Sequence, residues 1–328
     1  MRYYFAPMEG ITGFIYRNAH RHVFGGVDRY FTPFITPNQS RSLTTRELRD
    51  VLPAHNPAPD VVPQVMTADA EHFRWAADKL AQLGYGEVNL NLGCPSRTVV
   101  SKGRGAGLLA RPDALEALLD GIFAEATPAV SIKARIGLDS RDALPRLIEI
   151  FNRYPIRELI LHPRLQVDYY SGAPDLDAFE YALSASAAPL AYNGNLFTPA
   201  DIAAIRARFE GVDALMLARG AVADPALPRR ARGGAPATRA ELSELHDEVL
   251  AGYMAQLRDP LTALFRMKEL WSYMGALFSG AQPYIKRIRK ATRLPAYLDA
   301  VRALLDECEL APDGQLGARL TGSAPEPR

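Results

Sequence analysis

The chain is poor in cysteine: among 328 residues only Cys94 and Cys308 occur. Two cysteines cannot build a disulfide framework, so a reducing compartment, the cytoplasm, is expected. The 6 histidines and these cysteines show no zinc spacing, and His20-Arg21-His22 has no acidic or cysteine partner beside it in sequence. An excess of one charge is also lacking. Against 38 lysines and arginines stand 37 acids, a net charge of +1. Binding of a polyanion would therefore need a local basic patch. No apolar run approaches the roughly 18–20 residues of a membrane span, and Met1 to Pro7 does not open a signal peptide. A soluble monomer without membrane association is expected. The glycine run Gly103–Gly107 lacks the Gly-Lys-Ser/Thr of a P-loop, and there is no Gly-x-Ser-x-Gly elbow. Nucleotide hydrolysis and serine-hydrolase chemistry are thereby disfavoured.

What is present is a rhythm. Short apolar runs predict strands at Tyr3–Pro7, Tyr30–Ile35, Val61–Val65, Glu87–Leu90, Val130–Ala134, Glu158–Leu161, Pro189–Tyr192 and Ala214–Leu217. Amphipathic segments between them predict helices at Ala70–Leu83, Asp113–Glu125, Asp142–Tyr154, Asp177–Ser186 and Pro199–Phe209. Alternating strands and helices imply a parallel sheet, and eight units in about 230 residues match a (β/α)8 TIM barrel. An open doubly wound sheet is the alternative, disfavoured because no Gly-x-Gly-x-x-Gly follows the first strand.

Barrel active sites are assembled at the C-terminal ends of the strands. Polar groups follow nearly every strand here: Glu9, Thr36, Gln64, Asn91 with Cys94, Lys133 with Arg135, His162 with Arg164, Asn193 with Asn195, and Arg219. The stretch from Val88 to Ser96 runs an alternating strand into a Gly-Cys-Pro loop, so Asn89 and Asn91 share a face and Cys94 is placed just past the strand end. Such a thiol reads as a chemical group, against the plainer reading of a small buried cysteine. After the last two strands, Asn193-Gly194-Asn195 and Ala218-Arg219-Gly220 occupy the places where barrels hold phosphate. Gly194 permits close backbone approach and Arg219 offers a bidentate fork, though Asn-Gly alone could be a plain turn.

These motifs together resemble the flavin-dependent tRNA-dihydrouridine synthases. The resemblance runs over most of residues 1–310 and rests on Ala6-Pro7-Met8-Glu9-Gly10, Gln64, Asn91-Leu92-Gly93-Cys94-Pro95-Ser96, Gly105-Ala106-Gly107-Leu108-Leu109, Lys133-Ala134-Arg135, His162-Pro163-Arg164, Asn193-Gly194-Asn195 and Arg219-Gly220. Asn-x-x-Cys-Pro alone also resembles dihydroorotate dehydrogenases. The resemblance implies a barrel holding FMN at its mouth, NADPH as reductant, and hydride transfer to C6 of a uracil base in tRNA. It implies that Cys94 gives the proton to C5. It also implies flavin contacts from the backbone of Pro7 and Met8, from Gln64 at the ring edge, and from Lys133 near N1 and O2. His162 joins these, and Asn193, Gly194, Asn195, Ala218 and Arg219 take the phosphate end. Asn91 would orient the substrate base, with Arg135 on the substrate side. Departures from the family pattern are Pro163 and Leu165 in place of Gly and Thr, Ala218 in place of Gly, and Asn195 where an acid is common. His162 could alternatively be a hydrogen-bonded histidine at the edge of the core.

The chemistry fits those roles. A cation such as Lys133 would stabilise a reduced flavin, which is anionic at its N1/C2 edge. A thiol with a pKa of about 8.5 is still protonated at neutral pH and can act as an acid.

From Pro228 the character changes. Pro228–Pro236 reads as a linker or edge loop between a barrel at 1–232 and a helical bundle at 239–310, the tail 311–328 being disordered. Leu242, Leu245, Val249 and Tyr253 recur at helical spacing. Between Lys286 and Arg293 stand five cations and no acid. Alone, that strip is a solvated helix face. Beside a mouth lined by Lys102, Arg104 and Arg135, Lys286, Arg287 and Arg289 become a track for the tRNA backbone. The competing functions are a flavin barrel for a small pyrimidine, which needs no basic appendage, and a non-catalytic RNA-binding protein, which needs no Cys94, Lys133 or Arg219.

Overall fold

The computed structural model describes residues 1–125, 128–257, 259–311 and 316. Its strands are β1 (Arg2–Phe5), β2 (Arg29–Phe31), β3 (Val61–Val62), β4 (Gln64–Val65), β5 (Glu87–Leu92), β6 (Ala129–Gly137), β7 (Leu159–Leu165), β8 (Leu190–Tyr192) and β9 (Ala214–Leu217). All pairings between them are parallel, in the order β3-β2-β1-β9-β8-β7-β6-β5-β4. The two ends of that order are one strand divided at Pro63, which has no N–H to give a ladder. The carbonyl of Pro63 still accepts from the N–H of Asn89 at 2.8 Å. The sheet therefore closes on itself, an eight-stranded barrel as expected.

Strand ends differ from expectation for local reasons. Pro33 cuts β2 short, and Ile35 rejoins as an isolated bridge to Val65. β6 and β7 run on beyond their apolar cores, so Arg135, His162 and Arg164 lie within strands rather than in loops after them.

The helices are α1 (Phe14–Val23), α2 (Thr45–Val51), α3 (Ala70–Gln82), α4 (Arg97–Val100), α5 (Pro112–Phe123), α6 (Leu144–Phe151), α7 (Leu176–Ala185), α8 (Pro199–Arg208), α9 (Arg219–Ala223), α10 (Leu227–Arg230), α11 (Arg239–Gln256), α12 (Pro260–Met274), α13 (Gln282–Lys290) and α14 (Leu294–Glu307). Their starts follow capping chemistry: Asp69 caps α3, Thr198 with Asp201 caps α8, and Thr238 with Glu241 caps α11. No helix among the described residues is long and apolar enough to cross a membrane.

Strand periodicity sorts the side chains into two layers. Tyr4, Ala6, Phe31, Val62, Ile160, Ala191, Ala214 and Met216 form a small core inside the barrel. Tyr3, Phe5, Val88, Leu90, Ile132 and Leu161 face the helices in one large cluster that continues into Leu242, Trp271 and Tyr297. The helical region is thus packed onto the barrel. Gly252 of α11 permits that approach, because a Cβ there would lie 2.6 Å from Ile15 of α1.

Pro228–Pro236, expected as a linker or edge loop, is a corner pinned by ion pairs. Its residues build α10, Arg229 pairs with Glu241 at 2.7 Å, and Arg232 is bonded to Asp28. Those ion pairs tie the corner to the barrel on one side and to α11 on the other. The tail expected to be disordered, 311–328, lies outside the described residues except for Ala311 and Leu316. Leu316 is buried against Phe197 and Ala223.

Candidate active site

Closing the barrel brings the strand ends to one rim, where they line a cavity of about 940 Å³. That volume is in the range of sites for cofactor-sized ligands. Cys94, Pro7, Met8, Gln64, Lys133, His162, Asn193, Gly194, Asn195, Ala218 and Arg219 all line it, as do Asn91, Arg135 and Arg289. Lys286 and Arg287 do not line it; they are exposed on α13, with Arg287 5.9 Å from the Tyr284 ring. Lys102 and Arg104 do not line it either. The chain turns at Gly103 and Gly105, both at positive φ, and leaves Lys102 exposed on the far side of the turn.

The floor is an amide chain. Asn89 Nδ2 donates to Ser131 Oγ at 2.9 Å, Gln64 Nε2 donates to Asn89 Oδ1 at 2.8 Å, and Asn91 Nδ2 donates to Gln64 Oε1 at 2.7 Å. These are the inward positions of adjacent strands in register, Gln64 opposite Asn89 and Asn89 opposite Ser131. Asn91 Oδ1 then accepts from the N–H groups of Gly93 and Cys94 at 3.0 and 2.9 Å. The Asn91 oxygen thus folds the cysteine loop, leaving one Nδ2 hydrogen of Asn91 for other partners.

That loop is held from several further sides. The N–H of Ala106 donates to the Cys94 carbonyl at 3.2 Å, Gln166 Nε2 to the Pro95 carbonyl at 2.8 Å, and Arg135 Nε to the Gly93 carbonyl at 3.1 Å. Arg135 also donates to the carbonyls of Leu165 at 2.6 Å and Tyr169 at 2.7 Å. Its guanidinium therefore joins the cysteine loop to the loop after β7, at the edge of the cavity. Met8 is likewise engaged: its N–H donates to Thr12 Oγ1 at 2.7 Å.

The electrostatics follow from burial. Desolvation, then the neighbouring Arg135 charge, push the Lys133 ammonium down from 10.5 to about 7. Burial pushes the Cys94 thiol up, although a Ser96 backbone hydrogen bond and the charges of Arg135 and Lys133 pull the other way. Burial also holds His162 well below the usual histidine range, assisted by Arg135, Lys133, Arg164 and Arg219. The ring is neutral. Since Arg164 Nη1, 3.0 Å away, can only donate, His162 Nε2 accepts and its proton sits on Nδ1.

At the opposite side of the mouth, Arg164 and Arg219 both donate to Asn195 Oδ1, at 3.2 and 3.3 Å. The Arg219 guanidinium lies 4.9 Å from the Tyr170 ring and 5.4 Å from Phe197. The N–H groups of Gly194, Asn195 and Gly220 make no hydrogen bond among the described residues. Gly194 cannot carry a side chain, because its Cβ would fall 2.1 Å from the Tyr192 hydroxyl. Free N–H groups beside an arginine form a cradle for an anion.

The family model for dihydrouridine synthase (Dus) matches residues 4–315. The chain belongs to the dihydrouridine synthase family. It is 28% identical over 315 residues to the tRNA-dihydrouridine(16) synthase of Ralstonia nicotianae, covering 93% of this chain and 92% of that protein. It is 27% identical over 222 residues to tRNA-dihydrouridine synthase B of Pseudomonas syringae pv. tomato, covering 67% and 64%. Among solved structures, the old yellow enzyme of Trypanosoma cruzi has a similar fold, with a TM-score of 0.54 at 10% identity over 77% of this chain and 93% of that one. The dihydrouridine synthase scaffold thus carries the inward residues of β4 to β7 described above. Sequence reasoning did not name Tyr170, Gln166, Arg266 and Tyr273 as site residues, although three of them line the cavity and Gln166 ties down Pro95. Their signal was weak: Tyr170 and Gln166 follow a strand without a motif, and α12 reaches the rim only through its packing.

Proposed function

We propose that the chain is an NADPH-dependent tRNA-dihydrouridine synthase that uses FMN to reduce the C5=C6 bond of uridine in tRNA. One observation carries the reading: Cys94 and the half-buried ammonium of Lys133, which faces no carboxylate among the described residues, line the same cavity as the anion cradle at Gly194, Asn195, Arg219 and Gly220. These residues fit a flavin mononucleotide. Lys133 lacks a counter-charge that an electron-rich ring edge can supply, and the cradle suits a phosphate. Pro7, Met8, Gln64, Lys133 and His162 would hold the ring. Asn193, Gly194, Asn195, Ala218 and Arg219 would hold the phosphate end. The chemistry such a group supplies is hydride transfer, from NADPH and on to C6 of the uracil.

The protein's own part is positioning and proton supply. The amide chain from Ser131 to Asn91 fixes the Gly93–Cys94 turn, and Arg135 and Gln166 fix its other side. A rigid turn holds the thiol where C5 must be protonated. Because burial keeps the Cys94 thiol protonated at neutral pH, it can donate that proton. Neutral His162 has Nδ1–H left to donate to a carbonyl oxygen. For the RNA, Arg289 at the rim and Lys286 one helical turn away supply a phosphate track.

The test is the purified protein with its flavin, NADPH and an unmodified tRNA transcript. Cys94→Ala is expected to retain flavin and its reduction by NADPH while losing dihydrouridine formation. Loss of the flavin itself in that variant would refute the proton-donor assignment.

A further inference from the structure

Large apolar side chains are rarely left on a helix face without a reason when they border a cavity. On α12, Ala263, Leu264, Met267, Leu270 and Trp271 are buried, as an amphipathic helix requires. Leu261 and Phe265, four residues apart and so on one face, are 51% and 72% exposed. Phe265 also lines the rim of the active-site cavity. Its ring lies 5.6 Å from the Lys268 ammonium, which donates to the Ala291 carbonyl at the end of α13. The ring is thereby held beside the helix that brings Arg289 to the same rim.

We infer that Phe265 is a stacking platform for an unpaired nucleobase of the RNA, adjacent to the base that enters the cavity. The inference rests on the tRNA reading above. Charge selects the occupant. Among the rim groups, Glu9 is paired with Arg46 and Glu269 faces Arg266 at 3.8 Å. Lys268 and Arg289 face no carboxylate among the described residues. A ligand offering flat apolar rings and regularly spaced negative charge meets both features, and single-stranded nucleic acid is that ligand. Drawing one base into a deep site also unstacks its neighbour, which then gains from a new aromatic face.

The experiment uses the full chain with its flavin and an unmodified tRNA transcript, with affinity measured over a series of salt concentrations. Base–aromatic stacking is worth about 1–3 kcal/mol, so Phe265→Ala should weaken binding about five- to 150-fold. Phe265→Trp should restore it. The slope of log affinity against log salt should equal that of the wild type, because no phosphate interaction is removed. Affinity of Phe265→Ala equal to the wild type, or an altered salt slope, would overturn the inference while leaving the functional reading intact. So would unchanged RNA affinity with a smaller species in sedimentation, since the face would then be a protein interface. A wild type that neither binds the transcript nor forms dihydrouridine would end both.

Discussion

Lys133 gives the sharpest quantitative expectation. Its ammonium is desolvated at the cavity wall on a half-buried side chain, with Arg135 two residues away on the same face of β6, and is pushed down from 10.5 to about 7. In the flavin-free protein this depressed value is a cost of folding. Below pH 7 the group is charged in both states and the full penalty applies. Between pH 7 and 10.5 the unfolded chain binds more proton than the native one, so stability rises with pH. From the two values, the Lys133 contribution should improve by about 3 kcal/mol between pH 6 and pH 9. Lys133→Met keeps the length of the side chain and removes the charge. Unfolding of the flavin-free wild type and variant, measured across that range, isolates the term because the other titrating groups cancel in the difference. The variant should be the more stable at pH 6, with its advantage shrinking steadily toward pH 9, and should retain flavin more weakly. A difference between the two proteins that does not vary with pH would refute the argument.

Three further outcomes follow from particular contacts. Gly194→Ala would drive a methyl against the buried Tyr192 hydroxyl, 2.1 Å away, so the Asn193–Asn195 turn must move. Flavin affinity should fall by roughly an order of magnitude or more, read by fluorescence titration of the stripped protein. At the other end of the barrel, Glu158 is buried and meets Tyr4 and Arg2 at 3.0 and 3.1 Å. Glu158→Ala leaves the buried Tyr4 hydroxyl without its partner and should cost about 1–2 kcal/mol in denaturant unfolding while leaving flavin content unchanged; a loss of flavin would mean that the two ends are coupled. For the RNA track, Lys286→Ala with Arg289→Ala should weaken tRNA binding and reduce the salt slope by about one for each phosphate no longer neutralised. An unaltered slope would remove that strip from the interface.

Those contacts differ in how visible they were in the chain. The barrel was legible because the apolar runs recur with helices between them, and a parallel barrel sends every strand's C-terminal end to one rim. That topology alone places Gln64, Cys94, Lys133, His162 and Arg219 around one cavity, whatever their sequence separation. The grip on the cysteine loop was not legible. Asn89 and Ser131 look like ordinary strand residues until register sets Gln64 opposite Asn89 and Asn89 opposite Ser131. Arg135, expected on the substrate side, lines the cavity, but nothing in the sequence shows that its nitrogens meet carbonyls at Gly93, Leu165 and Tyr169. Only folding brings those carbonyls together. The same holds for Pro228–Pro236, whose composition suggests a linker or edge loop but does not show that its arginines find Glu241 and Asp28 across the fold.

The failures have one cause, and it bears on catalysis. Local pattern reports which side of a strand a residue occupies, but not which of its polar atoms are already engaged. In this cavity that distinction separates two kinds of group. Asn91 Oδ1, Gln64, Arg135 and Gln166 spend their hydrogen bonds on the protein and make the site rigid. Lys133 and the N–H groups of Gly194, Asn195 and Gly220 lie on the same walls without such partners among the described residues, and the Cys94 thiol meets only the Ser96 backbone. Preorganisation requires both, since a reacting group is held in place only when its neighbours have no alternative arrangement. On this argument, cutting the relay at Asn89 should slow dihydrouridine formation without releasing flavin, because the thiol would lose its fixed position while the anion cradle remained. Asn89→Ala with a wild-type turnover rate and wild-type flavin affinity would show that the relay serves only to satisfy buried amides.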